Sequence, residues 1–391
     1  MVGLIKNEFN KLLLRKKVLI SSIVLGVLCV LMCLLIIVMN KFTNKEFLIE
    51  QQETIIQVYE EDLKNAKTEN EKKLAQANLD EAKASLEYLK SLPSEDEANW
   101  KASLEQTINE LKKQYDALPN DNGQKENIRK DIIKYEELLN KNIKPISEMS
   151  PKGLSTLTHL ISFLGGLFVA IIVIIMSADT VSSEYTPPTI KMLLTRPVKR
   201  GKILASKFIA TFAASTLIII GIEIISSVIM GLIFGFENPS YPMVVGTDYK
   251  ITTINAMVGK EAIAVFNSSY ITTLLSVVVK SLLMQVLYIL AATSFFFMLS
   301  TLLKSSSASI AISIVSLIAI KILGAISYVK PILPFLFMTY GNTLSVVTGS
   351  IKTEILSSFA TPSFVAIILI IWTIIPYTIA HLNFTKKDIL V

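Results

Sequence analysis

Two histidines, His159 and His381, and two cysteines, Cys29 and Cys33, are the only imidazoles and thiols in this 391-residue sequence. They are too few and too dispersed for a Ser–His–Asp triad or a four-ligand zinc set. Cys29 and Cys33 stand four apart in an apolar run, on one helical face, and read as small buried residues rather than as a disulfide or a metal pair. A phosphate-binding loop needs Gly, four residues, then Gly–Lys–Ser/Thr, so that backbone amides cradle the phosphate. Gly201–Lys202 is followed by Ile203 and Gly259–Lys260 by Glu261, and neither has a glycine five positions earlier. The chain thus has no ATPase motif of its own. What remains with chemical character is a pair of charges in apolar sequence, Glu223 and Lys321, and a cluster of acidic, basic and proline residues between 182 and 207.

Hydropathy dictates where those residues sit. Hydrophobic residues make up 51% of the chain and charged residues 18%, against about 25% charged in soluble domains. The formal charge of +6 sums two unlike parts. Residues 41–157 carry 18 Lys/Arg and 23 Asp/Glu, and the rest of the chain carries 20 and 9. This excludes a single soluble globule. It also removes nucleic-acid binding as the reason for the basic excess, which is confined to short segments beside apolar runs. Val18–Met39 contains no charged residue over 22 positions, about 33 Å as helix, enough to cross a bilayer and too long for a signal-peptide core. Further runs at 160–178, 208–235, 281–303, 307–328 and 364–382 bring the spans to six.

The short basic segments orient these spans. Lys6, Lys11, Arg15, Lys16 and Lys17 precede the first, and Lys191, Arg196, Lys199, Arg200, Lys202 and Lys207 lie between the second and third. Lys304 separates the fourth from the fifth, and Lys386 and Lys387 follow the sixth. With six spans all of these fall on one side, which the positive-inside rule makes cytoplasmic. The expectation is a multi-pass protein of a bacterial plasma membrane with both termini in the cytoplasm. Residues 1–17 form an amphipathic interfacial helix, 18–39 the first span, 40–157 an exterior insert, and 158–391 the other five spans. Within 330–362, Pro331–Met338 is too apolar to leave in water, and the segment is too broken to span. It reads as an exterior re-entrant segment sheltered by the last two spans.

The insert is rich in Glu, Lys, Ala, Leu and Gln with no glycine before Gly123, a composition of long helices. Pro93 and Pro119 divide it, and Ser94–Glu–Asp–Glu97 reads as a capping box. Trp100, Leu104, Ile108, Leu111, Tyr115 and Leu118 follow as one apolar stripe. A helix over 46–91 would rise about 65–70 Å, and 94–143 supplies a return of similar length with a kink at Pro119. The predicted fold class is therefore all-α: a polytopic membrane protein with six transmembrane helices and an extracellular coiled-coil hairpin between the first and second.

The loop 179–207 carries the most specific pattern: Glu184–Tyr–Thr–Pro–Pro–Thr189–Ile–Lys191–Met–Leu193–Leu194–Thr–Arg196–Pro197–Val–Lys–Arg200, with Lys207 opening the third span. Thr186–Pro187–Pro188 cannot continue a helix, Thr189 is placed to cap a short one from Ile190, and Pro197 ends it. A short helix rigidly joined to two spans can transmit a push from a soluble motor. This stretch resembles the cytoplasmic loop after the second span of ABC-2 type transporter permeases, which has a Glu, a small-residue turn with Thr, a Leu pair, Pro, a basic residue and a Lys. Pro187–Pro188 stand here where that family usually has glycine. The N-terminal stretch with Glu8, Phe9 and Leu12 resembles the family's interfacial helix, and Phe384–Ile389 its terminal tail.

The resemblance implies a permease subunit of an ATP-driven exporter that is not itself an enzyme. It would work with a second permease subunit, identical or different, and with cytoplasmic ABC ATPase subunits that hold ATP and magnesium. This chain would bind no cofactor or metal of its own. Glu184, Thr189, Leu193, Leu194, Arg196, Pro197 and Arg200, with Glu8, Phe9 and Leu12, would make the ATPase contact. An amphipathic substrate, such as a peptide, a lipid-linked molecule or a drug, fits the apolar spans. A different reading is a mechanotransmitting or sensory protein whose exterior stalk relays ATPase motion to a partner; a structural coiled-coil anchor leaves the loop pattern unexplained. Finally, Glu223 lies about 22 Å into the third span and Lys321 about 24 Å into the fifth. Their similar depths let them pair, either to fix packing or to line a path.

Overall fold

The computed structural model describes residues 1–66, 68–91, 99–119, 123–185, 198–255, 259–324, 326 and 330–386. An amphipathic helix α1 (Val2–Leu13) leads into α2 (Lys16–Phe42), the first of six helices long and apolar enough to cross a membrane. The second is entered through α7 (Gly153–Gly166) and continues, after a break at Leu167, as α8 (Phe168–Ser177). The remaining four are α9 (Arg200–Phe234), α10 (Leu274–Leu302), α11 (Ser306–Gly324) and α14 (Pro362–Lys386). The first helix shows how the sequence settles its own packing. Val18, Ser21, Leu25, Cys29, Cys33 and Ile36 are buried at three- and four-residue steps, while Leu19, Ile23, Leu31 and Leu34 are exposed. One stripe meets the bundle and the remaining apolar surface suits hydrocarbon. Both cysteines are free and buried.

The insert departs from the single long stalk. It consists of two helical hairpins, α3 (Lys45–Asn65) with α4 (Glu69–Ser91), and α5 (Trp100–Ala117) with α6 (Gly123–Asn140). The chain turns back after Asn65 because Thr68 and Glu71 form a capping box. The Glu71 amide donates to Thr68 Oγ1 at 3.2 Å and the Thr68 amide to Glu71 Oε2 at 3.0 Å, which satisfies two free donors of a new helix start. Lys83–Glu60 at 3.2 Å and Lys90–Glu53 at 3.1 Å set the antiparallel register over a small core of Ile56, Leu79 and Ala82. Likewise the chain reverses after Pro119 rather than kinking, with Lys112 paired to Glu136 at 2.7 Å. Each arm is about 27–35 Å long, half the expected rise. The Ser94–Glu97 box lies outside the described residues.

The second hairpin is part of the body. Trp100, Leu104, Ile108 and Leu138 pack with Leu157 and Ile161 of α7, Tyr241, and Leu274 and Val278 of α10. Glu126, fully buried, fastens α6 to the loop after residue 264. It accepts both an Nε bond at 2.8 Å and an Nη2 bond at 3.0 Å from Arg129, and the amides of Asn267 at 2.7 Å and Ser269 at 3.0 Å. Burial opposes the charged carboxylate, yet the Arg129 and Ser269 hydrogen bonds outweigh it and hold Glu126 at about 2.

That loop belongs to a β excursion that the all-α expectation lacked. β1 (Pro242–Val245) pairs antiparallel with β4 (Tyr270–Thr273), and between them β2 (Tyr249–Asn255) pairs with β3 (Gly259–Ala264). The β-branched run Ile251–Thr–Thr–Ile254 was the available signal. The fold is mostly helical with two short ribbons. Segment 330–362 forms 3₁₀ turns at Lys330–Phe335 and Phe337–Tyr340 and two short helices, α12 (Thr343–Thr348) and α13 (Ile351–Glu354). It is seated on the bundle. Phe337 stacks against Phe295 and Trp372 with centroids 5.4 and 5.2 Å apart, and Trp372 Nε1 donates to the Phe335 carbonyl at 2.8 Å. Gly341 meets Gly165 of α7 so closely that a Cβ on either would fall 2.1–2.3 Å from the other's carbonyl oxygen.

Candidate functional site

At the end of the bundle where α1 and the last turns of α14 lie, charged residues from separate elements meet beside the apolar core. α1 buries Leu12 and packs Phe9 against that core, which turns Glu8 and Lys11 toward the start of α9. Lys207, about two turns into α9 and 3% exposed, donates to Glu8 Oε2 and to Glu184 Oε1, both at 3.0 Å. Lys11 reaches the same Glu184 oxygen at 3.0 Å. Glu184 sits on the 3₁₀ turn Ser182–Tyr185, itself pinned to α10. The amides of Val181 and Ser182 both donate to Ser300 Oγ at 3.0 Å. A second carboxylate, Asp179, takes Lys17 and Arg15, the latter at 3.7 Å, and fixes the joint between α1 and α2 to the end of α8. The C-terminal helix closes the group: Phe384 and Ala380 pack with Val181, Leu204 and Phe297, and Asn383 Nδ2 donates to the Thr301 carbonyl at 2.8 Å.

Of the residues singled out in the loop, Glu184 and Arg200 are described; Thr189, Leu193, Leu194, Arg196 and Pro197 lie outside the described residues, as does the short helix expected from Ile190. Glu8, Phe9 and Leu12 stand on one helix beside Glu184, so the interfacial helix and the loop form one site. In the sequence Lys17 and Arg15 count only toward topology, Lys207 counts toward topology and the loop pattern, Lys11 lies within the interfacial-helix stretch, and nothing there singles out Asp179 or Ser300. A charge census cannot see depth, but the i,i+3 spacing of Glu8 and Lys11 on an amphipathic helix was a usable signal. Chemically the site has no nucleophile–base pair, and no His/Cys/Asp/Glu group suited to a metal occurs among the described residues. It is an ionic joint in which one buried ammonium faces two carboxylates, so that removing either sign leaves buried charge uncompensated.

Residues 3–389 match the family described as ABC-2 family transporter protein. The chain belongs to that family. It is a multi-pass membrane protein with six helices long and apolar enough to cross a bilayer, and permeases of this family generally work with an ATPase subunit. Among curated proteins it is similar to an uncharacterized protein of Bacillus subtilis (strain 168), YhcI, with 31% identity over 140 residues, 36% of this chain and 42% of that protein. The chain thus spans less than half the length of this relative.

The expected Glu223–Lys321 ion pair is absent. Glu223, fully buried on α9, accepts a 2.8 Å hydrogen bond from Gln285 Nε2 of α10. Lys321 is exposed on α11, and the carboxylate acting on it is Glu354 of α13. Both helices pack on α8 and α10, yet the two charges meet different partners, Gln285 for Glu223 and Glu354 for Lys321. Equal depth did not bring the charges together.

Proposed function

We propose that this ABC-2 permease is the membrane half of an exporter whose ATP and magnesium are held by a separate cytoplasmic ATPase subunit. The observation that carries this reading is the joint around Lys207. It ties α1, the Ser182–Tyr185 turn and the third span together at the foot of the loop that would face the ATPase. A push on the loop or on α1 then moves the second, third and fourth spans as a group, because Glu184 is bonded to α9 and its own turn to α10. The end bearing the termini is cytoplasmic in this reading and the two hairpins are exterior. A second permease chain completes the unit, and an amphipathic substrate, such as a peptide, lipid-linked molecule or drug, leaves along the apolar spans. Segment 330–362 is the re-entrant element on the exterior side.

The test is to co-express the chain with its partner ATPase, reconstitute both in liposomes, and compare wild type with Glu184→Ala for ATP hydrolysis stimulated by the permease. The variant should insert normally, with a cysteine at Gln76 in a cysteine-free background still labelled by an impermeant maleimide in intact cells. Its stimulation of hydrolysis should fall at least severalfold. Unchanged stimulation by Glu184→Ala, or a Gln76 cysteine shielded in intact cells, would overturn this assignment.

A further inference from the structure

The hydrogen bonding around Glu223 is incomplete in a way that one proton would complete. Glu223 Oε1 accepts from Gln285 Nε2 at 2.8 Å, while Glu223 Oε2 and Gln285 Oε1 are both buried and have no partner. Both side chains are fully buried. Two acceptors of a facing acid and amide are left over, and a carboxylate cannot supply the hydrogen either one lacks. A protonated carboxyl can: its O–H donates to the amide oxygen while its carbonyl accepts from the amide nitrogen, and the two groups close a ring. We propose that Glu223 and Gln285 form a proton-binding site within the span bundle, in which one proton on Glu223 satisfies both unpartnered atoms.

Among the described residues, the elements packed on α9 supply no competing cation. α9 packs against α1, α2, α7, α8, α10 and α14. On α2 the titratable group acting electrostatically with Glu223 is the Cys29 thiol. Glu8 and Lys11 of α1 are engaged with Lys207 and Glu184. His159 of α7 is acted on by Glu148 and Glu237, and α8 carries no titratable residue. On α10, Tyr288 packs on Phe337 and Lys280 is five residues nearer the helix start. On α14, Tyr377 stacks on Phe208 and His381 lies against Gly201, both at the terminus end. Other polar groups are buried along the same two helices, with Ser215 on α9 and Ser281 and Thr293 on α10. The Ser215, Ser281 and Thr293 hydroxyls are buried and unpartnered. The ring therefore sits in a polar seam between the third and fourth spans, and removing its proton turns an attractive contact into acceptor facing acceptor.

Infrared difference spectroscopy on the purified full-length chain in lipid tests this. The spectrum of wild type minus Glu223→Gln at neutral pH should show the C=O stretch of a protonated carboxyl, and Gln285→Leu should shift that band to higher frequency by removing both hydrogen bonds. Should Gln285→Leu fail to insert, Gln285→Asn withdraws the amide by one methylene and must give the same direction of shift. Raising the pH in wild type should replace the band by carboxylate bands, while Glu223→Gln, which keeps the ring as an amide pair, stays unchanged. Carboxylate bands at neutral pH, or a protonated band indifferent to residue 285, would overturn the proposal.

Discussion

Replacing Lys207 by methionine keeps the length and bulk of the side chain and removes the charge that Glu8 and Glu184 share at 3.0 Å each. The cost follows from what is left behind. Glu184, whose side chain is 6% exposed, loses its buried cation and keeps the contact to Lys11, which is itself 48% exposed and screened by water. Stranding one partner of a buried pair costs about 3–5 kcal/mol, and the surviving lysine places the expected loss near the lower end, about 3 kcal/mol. That is a more than hundredfold change in the folded-to-unfolded ratio. Unfolding by sodium dodecyl sulfate in mixed micelles, followed through Trp372 in the bundle, measures it directly. Combining Glu184→Gln with Lys207→Met removes charges of both signs together and should recover at least about 1 kcal/mol of the loss relative to additivity. A Lys207→Met protein within about 0.5 kcal/mol of wild type, or a strictly additive cycle, would refute the claim that this ammonium holds the joint.

The other tests address packing and the insert. Gly341→Ala should cost about 1–3 kcal/mol through overpacking, because its Cβ would lie 2.1 Å from the Gly165 carbonyl oxygen. Gly166→Ala, with nothing within 4 Å, should be neutral; equal detergent-extracted yields and thermal midpoints for the two would contradict the close backbone contact. The Glu126 clamp should respond to acid. Its folded value of about 2 lies below the ordinary 4.5, so its contribution is complete above 4.5 and is lost as pH falls toward 2. Amide-exchange protection at Asn267 and Ser269, corrected for intrinsic pH dependence, should drop across that window in wild type and not in Glu126→Gln. A flat wild-type profile would count against the clamp.

What the sequence disclosed depended on how local the signal is. The spans were legible because a length of uncharged sequence maps directly onto a membrane thickness, and the buried stripe from Val18 to Ile36 follows from helical period alone. The insert was helical on composition, but composition does not say where a helix stops; Thr68 and Glu71 did say so, in four residues that a search for prolines passed over. The strands were short, β-branched and bounded by loops, too brief for alternation to show. Glu184 and Glu8 come together in space on Lys207, a lysine whose place in the loop pattern does not reveal that it joins the two carboxylates. Glu223 was matched to the nearest opposite charge at equal depth, although a neutral amide, Gln285, satisfies one of its oxygens equally well. That pairing is a fact of tertiary packing, invisible to any spacing rule.

The elbow between α2 and α3 gives the first hairpin a mechanical character. Only Thr43 and Asn44 separate the two helices, the rings of Phe42 and Phe47 meet edge to face at 5.2 Å, and Lys45 Nζ reaches back to the carbonyl of Lys90 at 2.8 Å. The ring contact thus braces the arm to the span that carries it, while the Lys45–Lys90 bond and the small core tie its two helices together. With α3 about 32 Å long, tilting that span by about 10° would sweep the hairpin tip sideways by about 5–6 Å. The hairpin works as a pointer on a dial: a change in the angle of the span becomes a displacement of atomic-contact size at the far end of the arm.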